Sequence, residues 1–192
     1  YVYLVFIAGL AVVLFILFSN REISLLGVVL FGLLIFAAEN LSAPLPKTGS
    51  VSVNFGISLA SLIIFGPPTA IIVTFISIFN IREFAKRMPY YRHLFNAGQY
   101  LIAMGVASIV FDLFYRAEPG NFFDARNIGF ILMAAYIFFF LNTVLTAGAI
   151  SLSEGINLAN VWVFNYAWLI PFQLFLAAMA IAISFLYIQY NP

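Results

Sequence analysis

Of 192 residues, 65% are hydrophobic and only 8% charged, and the formal net charge is +1. Soluble domains carry about 25% charged residues, and one water-soluble core of this length could not hide so much apolar surface. The near-neutral balance excludes the basic field that nucleic-acid binding requires. The lack of cysteine excludes disulfides, thiolate metal sites and a cysteine nucleophile.

The charges gather at Arg21–Glu22, Arg82–Arg92 and Arg116–Arg126, with long uncharged stretches between. That is the pattern of membrane spans and loops. The chain begins at Tyr1 rather than Met and reads as a piece of a longer polypeptide. Val2–Phe18 lacks a basic flank and a small-residue cleavage site, so it reads as a span rather than a signal peptide. Ser24–Ala38 is the second span, short unless Glu39 and Asn40 sit among headgroups. Two prolines and a glycine make Leu41–Ser50 a loop.

Val53–Asn80 is apolar but broken by Gly66-Pro67-Pro68. Each half gives roughly 20 Å of helix, short of a hydrocarbon core of about 30 Å. The segment is either one kinked crossing or a hairpin of two short helices. Its prolines require protein neighbours, so it belongs inside the bundle. Val51–Leu59 alternates as a strand would, but a lone strand leaves its backbone unpaired in lipid, so a helix is expected. Three longer spans follow: His93–Tyr115, Asn127–Ile150 and Asn165–Tyr190, the last kinked at Pro171. The expected fold is all-α, a polytopic transmembrane bundle of six to seven spans forming a single domain over 1–192.

Arg82, Lys86, Arg87 and Arg92 fall in one short loop, which makes loop 81–92 cytoplasmic and carries the C-terminus outside. These residues mark topology and can meet anionic headgroups. Charge does not fix the N-terminus. A hairpin puts Lys47 inside and Arg21 outside, and one kinked crossing exchanges them, five basic residues against three in both cases. Tyr90, Tyr91, Tyr115, Trp162, Tyr166 and Trp168 flank the spans, as interfacial aromatics do.

Catalytic patterns are missing. His93 has no partners in sequence for a metal site and reads as an interfacial side chain. Lys47-Thr48-Gly49 lacks an accompanying Ser-x-x-Lys. No phosphate-cradling glycine loop is present, and no cofactor is expected. Uncharged polar stripes remain: Asn54, Ser58 and Ser61; Asn96 and Gln99, continued by Ala103 and Ala107; Asn142 and Thr146 beside Thr143; and Gln173. Such groups either link helices, at about 0.6 kcal/mol each, or converge on a cavity for a small, mostly uncharged ligand. Candidate ligand contacts are Asn54, Ser58, Asn96, Gln99, Asn142 and Thr146. Asp112 reads as pairing with Arg116 four residues on, and Glu39 as a headgroup-level carboxylate.

The run Ala38-Glu39-Asn40, Pro44-Leu45-Pro46, Gly49 to Phe55 and Phe65-Gly66-Pro67 resembles the MASE-type membrane-integral sensory domains of bacterial HD-GYP and GGDEF signalling proteins. Pro89 to Arg92, Leu94 to Gln99, and Trp162 with Trp168 to Pro171 are similar to the same group, so the resemblance covers most of the chain. It implies a sensory domain of a cyclic-dinucleotide signalling protein in the inner membrane, not itself an enzyme. It also implies that any homodimer forms through signalling domains outside this chain. The lipid bilayer is the expected partner, with a small hydrophobic or lipid-like ligand. That family has a cytoplasmic catalytic domain after its membrane part, whereas this chain ends at Asn191-Pro192, on the outside by the charge rule. The Gly-Pro after an apolar helix also resembles the substrate-binding S components of energy-coupling-factor transporters, which implies a transport subunit. A structural membrane anchor is the third reading.

Overall fold

The computed structural model describes residues 1–19, 22–41, 43–44, 50–51, 53–81, 89–115 and 122–190. Apart from a two-residue antiparallel ladder pairing β1 (Ala43–Pro44) with β2 (Ser50–Val51), the regular structure there is helical. In chain order the helices are α1 (Val2–Leu17), α2 (Leu25–Asn40), α3 (Asn54–Phe65), α4 (Pro67–Ile76), α5 (Tyr90–Phe114), α6 (Ala125–Glu154), α7 (Leu158–Asn165) and α8 (Ile170–Tyr190). Helix α5, helix α6 and the stretch Leu158–Tyr190 are long and apolar enough to cross a membrane, and α1 to α4 are shorter apolar helices.

The expected helix from Asn54 onward is present, and the strand-like pattern before it survives only as β2. Ser24 starts α2 as a cap, its hydroxyl accepting from the Gly27 amide at 3.1 Å. Gly66 separates α3 from α4. Its φ of +79° lies where only glycine is comfortable, and Pro67 and Pro68 then occupy the first turn of α4, where their missing N–H groups cost nothing.

The broken segment is a hairpin. Asn54 at its start and Asn80 at its end both reach the Glu39 carboxylate. At the other end of α2, the Ser24 amide donates to Thr69 Oγ1, just past the break, at 3.0 Å. Helix α4 therefore runs parallel to α2, and α3 runs against both. The last span also differs from expectation. Its helical path begins at Leu158, and the interruption is a single 3-10 turn at Ala167–Leu169. Pro171 sits in the first turn of α8, so the break falls just before it rather than at it.

Helix α1 lies parallel to α5, with Tyr3 Oη 3.2 Å from Tyr90 Oη and Gly9 against Gly98. The two backbones touch: a Cβ on Gly98 would fall 2.6 Å from Phe6 Cα. Small residues that let backbones approach are how helices associate in lipid, where no hydrophobic force separates helix from solvent. The core joins Ile35, Leu59, Leu62, Ile71, Met104 and Ile131. Outside it, large apolar side chains face outward, among them Leu4 at 71%, Leu25 at 76% and Phe15 at 66% exposure. Exposed apolar surface on this scale marks contact with lipid.

Gly98→Ala is expected to destabilise the fold by about 1–3 kcal/mol through forced separation of α1 and α5. Gly129→Ala, on an open face of α6, should be neutral or stabilising by about 0.5–1 kcal/mol. Thermal unfolding of the two variants in detergent compares them directly. Equal midpoints would show that the close approach does not exist.

Candidate functional site

Two hydrogen-bonded groups of polar side chains meet α5 on different faces, at the consecutive residues Tyr100 and Gln99. The first stands at the end of α2. Glu39 is 9% exposed and accepts from Asn54 Nδ2 at 2.8 Å and from Asn80 Nδ2 at 3.4 Å. Glu39 closes α2, the place that fits a headgroup-level acid; what the sequence did not show is that it is buried among protein side chains and accepts from amides at both ends of the hairpin. A buried carboxylate is tolerated when donors surround it. Its neighbour Asn40 completes the clasp. Asn40 Nδ2 donates to the Phe79 carbonyl at 3.2 Å, and Asn40 Oδ1 accepts from the Ile81 amide at 2.8 Å. Asn54 Nδ2 also lies 3.4 Å from Tyr100 Oη, which ties α3 to α5.

The second group lies in the α5–α6 seam. Thr146 Oγ1 is 2.7 Å from Gln99 Oε1 and 2.9 Å from the Asn142 carbonyl, so its single proton has two acceptors. Asn142 Oδ1 is buried and has no hydrogen-bond partner. One face round, Thr143 Oγ1 accepts from Trp162 Nε1 at 2.9 Å and lies 2.8 Å from the Phe139 carbonyl, to which it donates. Trp162 also meets Phe140 edge-on, which holds α7 back along α6.

The six candidate contacts do not gather in one place. Asn54 belongs to the first group; Gln99, Asn142 and Thr146 belong to the second. Ser58 is buried in α3, where its carbonyl accepts from Ser61 Oγ at 2.7 Å. Asn96 is half-buried one turn before Gln99. For Asn54, Gln99 and Thr146 the geometry is that of links between helices. Asp112 is half-buried near the end of α5, and its expected partner Arg116 lies outside the described residues. Arg92 is exposed at the start of α5, while Arg82, Lys86 and Arg87 lie outside the described residues. Tyr115 caps the C-terminal end of α5, where it is buried and stacked on Phe111 at 4.3 Å.

Sequence reasoning missed Asn80, the Asn40 side chain and Tyr100. One signal was available: an amide at each end of the apolar segment 53–80, facing an acid–amide pair that closes the preceding helix.

Apolar helices, an apolar exterior and internal amide ties define a helical bundle of the integral-membrane type, with three helical stretches long and apolar enough to cross a membrane. Comparison with known proteins makes this specific. The chain belongs to the MASE9 family, whose model matches residues 1–191, a family of MASE-type, membrane-associated sensory domains. Such a domain is a sensory membrane module and is not catalytic by itself. No curated protein and no solved structure matches the chain.

Glu39→Ala is expected to cost about 1.5–3 kcal/mol, because the amides of Asn54 and Asn80 lose a charged acceptor in a buried setting. Glu39→Gln retains one acceptor oxygen and should cost less. Chemical denaturation in mixed micelles measures both. A Glu39→Ala midpoint within about 0.5 kcal/mol of the parent protein would show that the clasp contributes nothing.

Proposed function

We propose that this domain is the multi-pass sensory region of a bacterial signalling protein that makes or degrades a cyclic dinucleotide, set in the inner membrane. In this reading the chain crosses seven times, α3 and α4 being two short crossings shielded by α2, α5 and α8. By chain order the hairpin assigns Lys47, Arg82, Lys86, Arg87 and Arg92, the last in the first turn of α5, to one side of the membrane, and Arg21, Arg116 and Arg126, the last in the first turn of α6, to the other. The positive-inside rule then makes the first side cytoplasmic, together with the N-terminus. Helices α3 and α4 are only about 18 and 15 Å long, which favours locally thinned lipid around them.

The domain detects a small, mostly uncharged or lipid-like cue. The observation that carries this reading is the unpartnered acceptor of Asn142 beside the Gln99–Thr146 bond. A buried acceptor left unmade costs about 1–3 kcal/mol, and a hydroxyl-bearing cue would recover part of that. Asn96 extends the same seam on α5. Asn54 and Ser58, on α3, would respond to the cue through the hairpin rather than touch it. A cue that favours one of two arrangements of the α5–α6 seam shifts their populations by its difference in affinity.

Fatty alcohols and monoacylglycerols, which are neutral and donate one or more hydroxyls, are suitable probes. They should raise the thermal midpoint of the purified domain by a few degrees, consistent with ligand linkage. Asn142→Leu and Gln99→Leu should lose that response while remaining folded. Absence of stabilisation by every probe, or an unchanged response in both variants, would exclude the seam as the sensing site.

A further inference from the structure

Helix α6 ends by reversing at Gly155, whose φ of +68° permits a left-handed turn. Ser151 Oγ donates to the Ile156 carbonyl across the turn at 2.6 Å, and Asn157 Oδ1 caps α7 by accepting from the Ala159 amide at 2.9 Å. Helix α7 then returns along α6, held by Val161 and Trp162. Between the two helices lies an outward-opening groove of about 660 Å³, walled by Ile150, Ile156, Val163 and Phe164, with Glu154, Asn160 and Asn165 at its polar positions. Its size falls within that of small-molecule sites, about 300–1,000 Å³.

The electrostatics at this place are one-sided. Glu154 is the only charged residue between positions 127 and 192. It is the last residue of a 30-residue helix, where the dipole and the free carbonyls are already negative and a carboxylate is disfavoured. No ion pair to Glu154 is present among the described residues. Carboxylate and terminal carbonyls can only accept, so the complement is a donor cation. A phosphate or carboxylate head would meet like charge here, with no Lys or Arg in the same stretch to offset it.

We propose that the α6–α7 groove binds a single-chain cationic amphiphile, its alkyl chain along Ile150, Val163 and Phe164 and its ammonium head on Glu154. This site is separate from the interior seam and stands without it. The head makes charge-assisted N–H···O bonds to the carboxylate, with the Asn160 side chain as a further acceptor. The chain gains the ordinary apolar burial.

The test is equilibrium binding of dodecylammonium to the purified domain in neutral maltoside micelles, with dodecanol and dodecyl sulfate at equal sub-denaturing concentrations. In the Asn142→Leu variant, whose seam no longer answers to an alcohol, dodecylammonium should bind saturably, read by tryptophan fluorescence, and dodecanol and dodecyl sulfate should not. Glu154→Gln should weaken binding by about tenfold or more, equivalent to about 1.4 kcal/mol. Ala159→Trp, which fills the exposed groove without touching the core, should abolish it. Asn142→Leu should bind as the parent protein does, which keeps this result apart from that for the interior seam. Equal binding of all three probes in that variant, retention of affinity in Glu154→Gln, or loss of dodecylammonium binding in Asn142→Leu would each overturn the assignment.

Discussion

Lipid in place of water is the constraint from which the rest of this structure follows. Large apolar side chains cover the outside of the bundle, so solvent cannot satisfy polar groups along most of its length. Each must find its partner within the chain. Thr74 and Ser77 do so locally: Thr74 donates to the Ala70 carbonyl at 2.7 Å and Ser77 to the Thr74 carbonyl at 2.6 Å. Glu39, Asn40, Asn54 and Gln99 do so between helices, and those bonds help decide where the helices lie.

The two polar groups meet at α5. Gln99 faces α6 and its sequence neighbour Tyr100 faces α3, so consecutive residues of one helix carry ties in different directions. Asn80, Glu39, Asn54 and Tyr100 form one run of polar contacts and Gln99 with Thr146 another, joined through the α5 backbone between Gln99 and Tyr100. One turn of α6 away, Thr143 carries a further tie to α7 through Trp162. The glycine-mediated contact of α1 with α5 fixes the same helix from its other side. Helix α5 is therefore the element through which a change in the seam would reach the hairpin.

Much of this fold was legible because apolar runs and their breakers are local signals. Val2–Phe18, Ser24–Ala38, His93–Tyr115 and Asn127–Ile150 each match a helix to within a few residues. The glycine–proline break was legible for the same reason, since Gly66 alone can take its φ and the prolines can only begin a helix. Which of two paths followed from the break was not, because hairpin and kinked crossing share one local sequence. Contacts distant in sequence decide it: Glu39 with Asn54 and Asn80, and Ser24 with Thr69. The same limit applied to the polar stripes. Helical spacing assigned Gln99 and Thr146 to faces, but only tertiary packing could pair them, and it put Asn54 in a different hydrogen-bonded group, with Glu39 and Tyr100. The burial of Glu39 was missed because a carboxylate near a helix end ordinarily reads as solvated, and its donors lie 15 and 41 residues away.

A cysteine-free sequence makes the hairpin, and with it the two-sided arrangement of the bundle, open to one direct measurement. Leu41 and Ile81 are exposed at the two ends of the hairpin segment, and Ile23 is exposed at the opposite end of α2. Single Leu41→Cys, Ile81→Cys and Ile23→Cys variants can be treated in cells with a membrane-impermeant maleimide. The hairpin requires Leu41→Cys and Ile81→Cys to react from the same face, only after permeabilisation, while Ile23→Cys reacts in intact cells. Labelling of Leu41→Cys and Ile81→Cys from opposite faces would contradict it and restore the single kinked crossing.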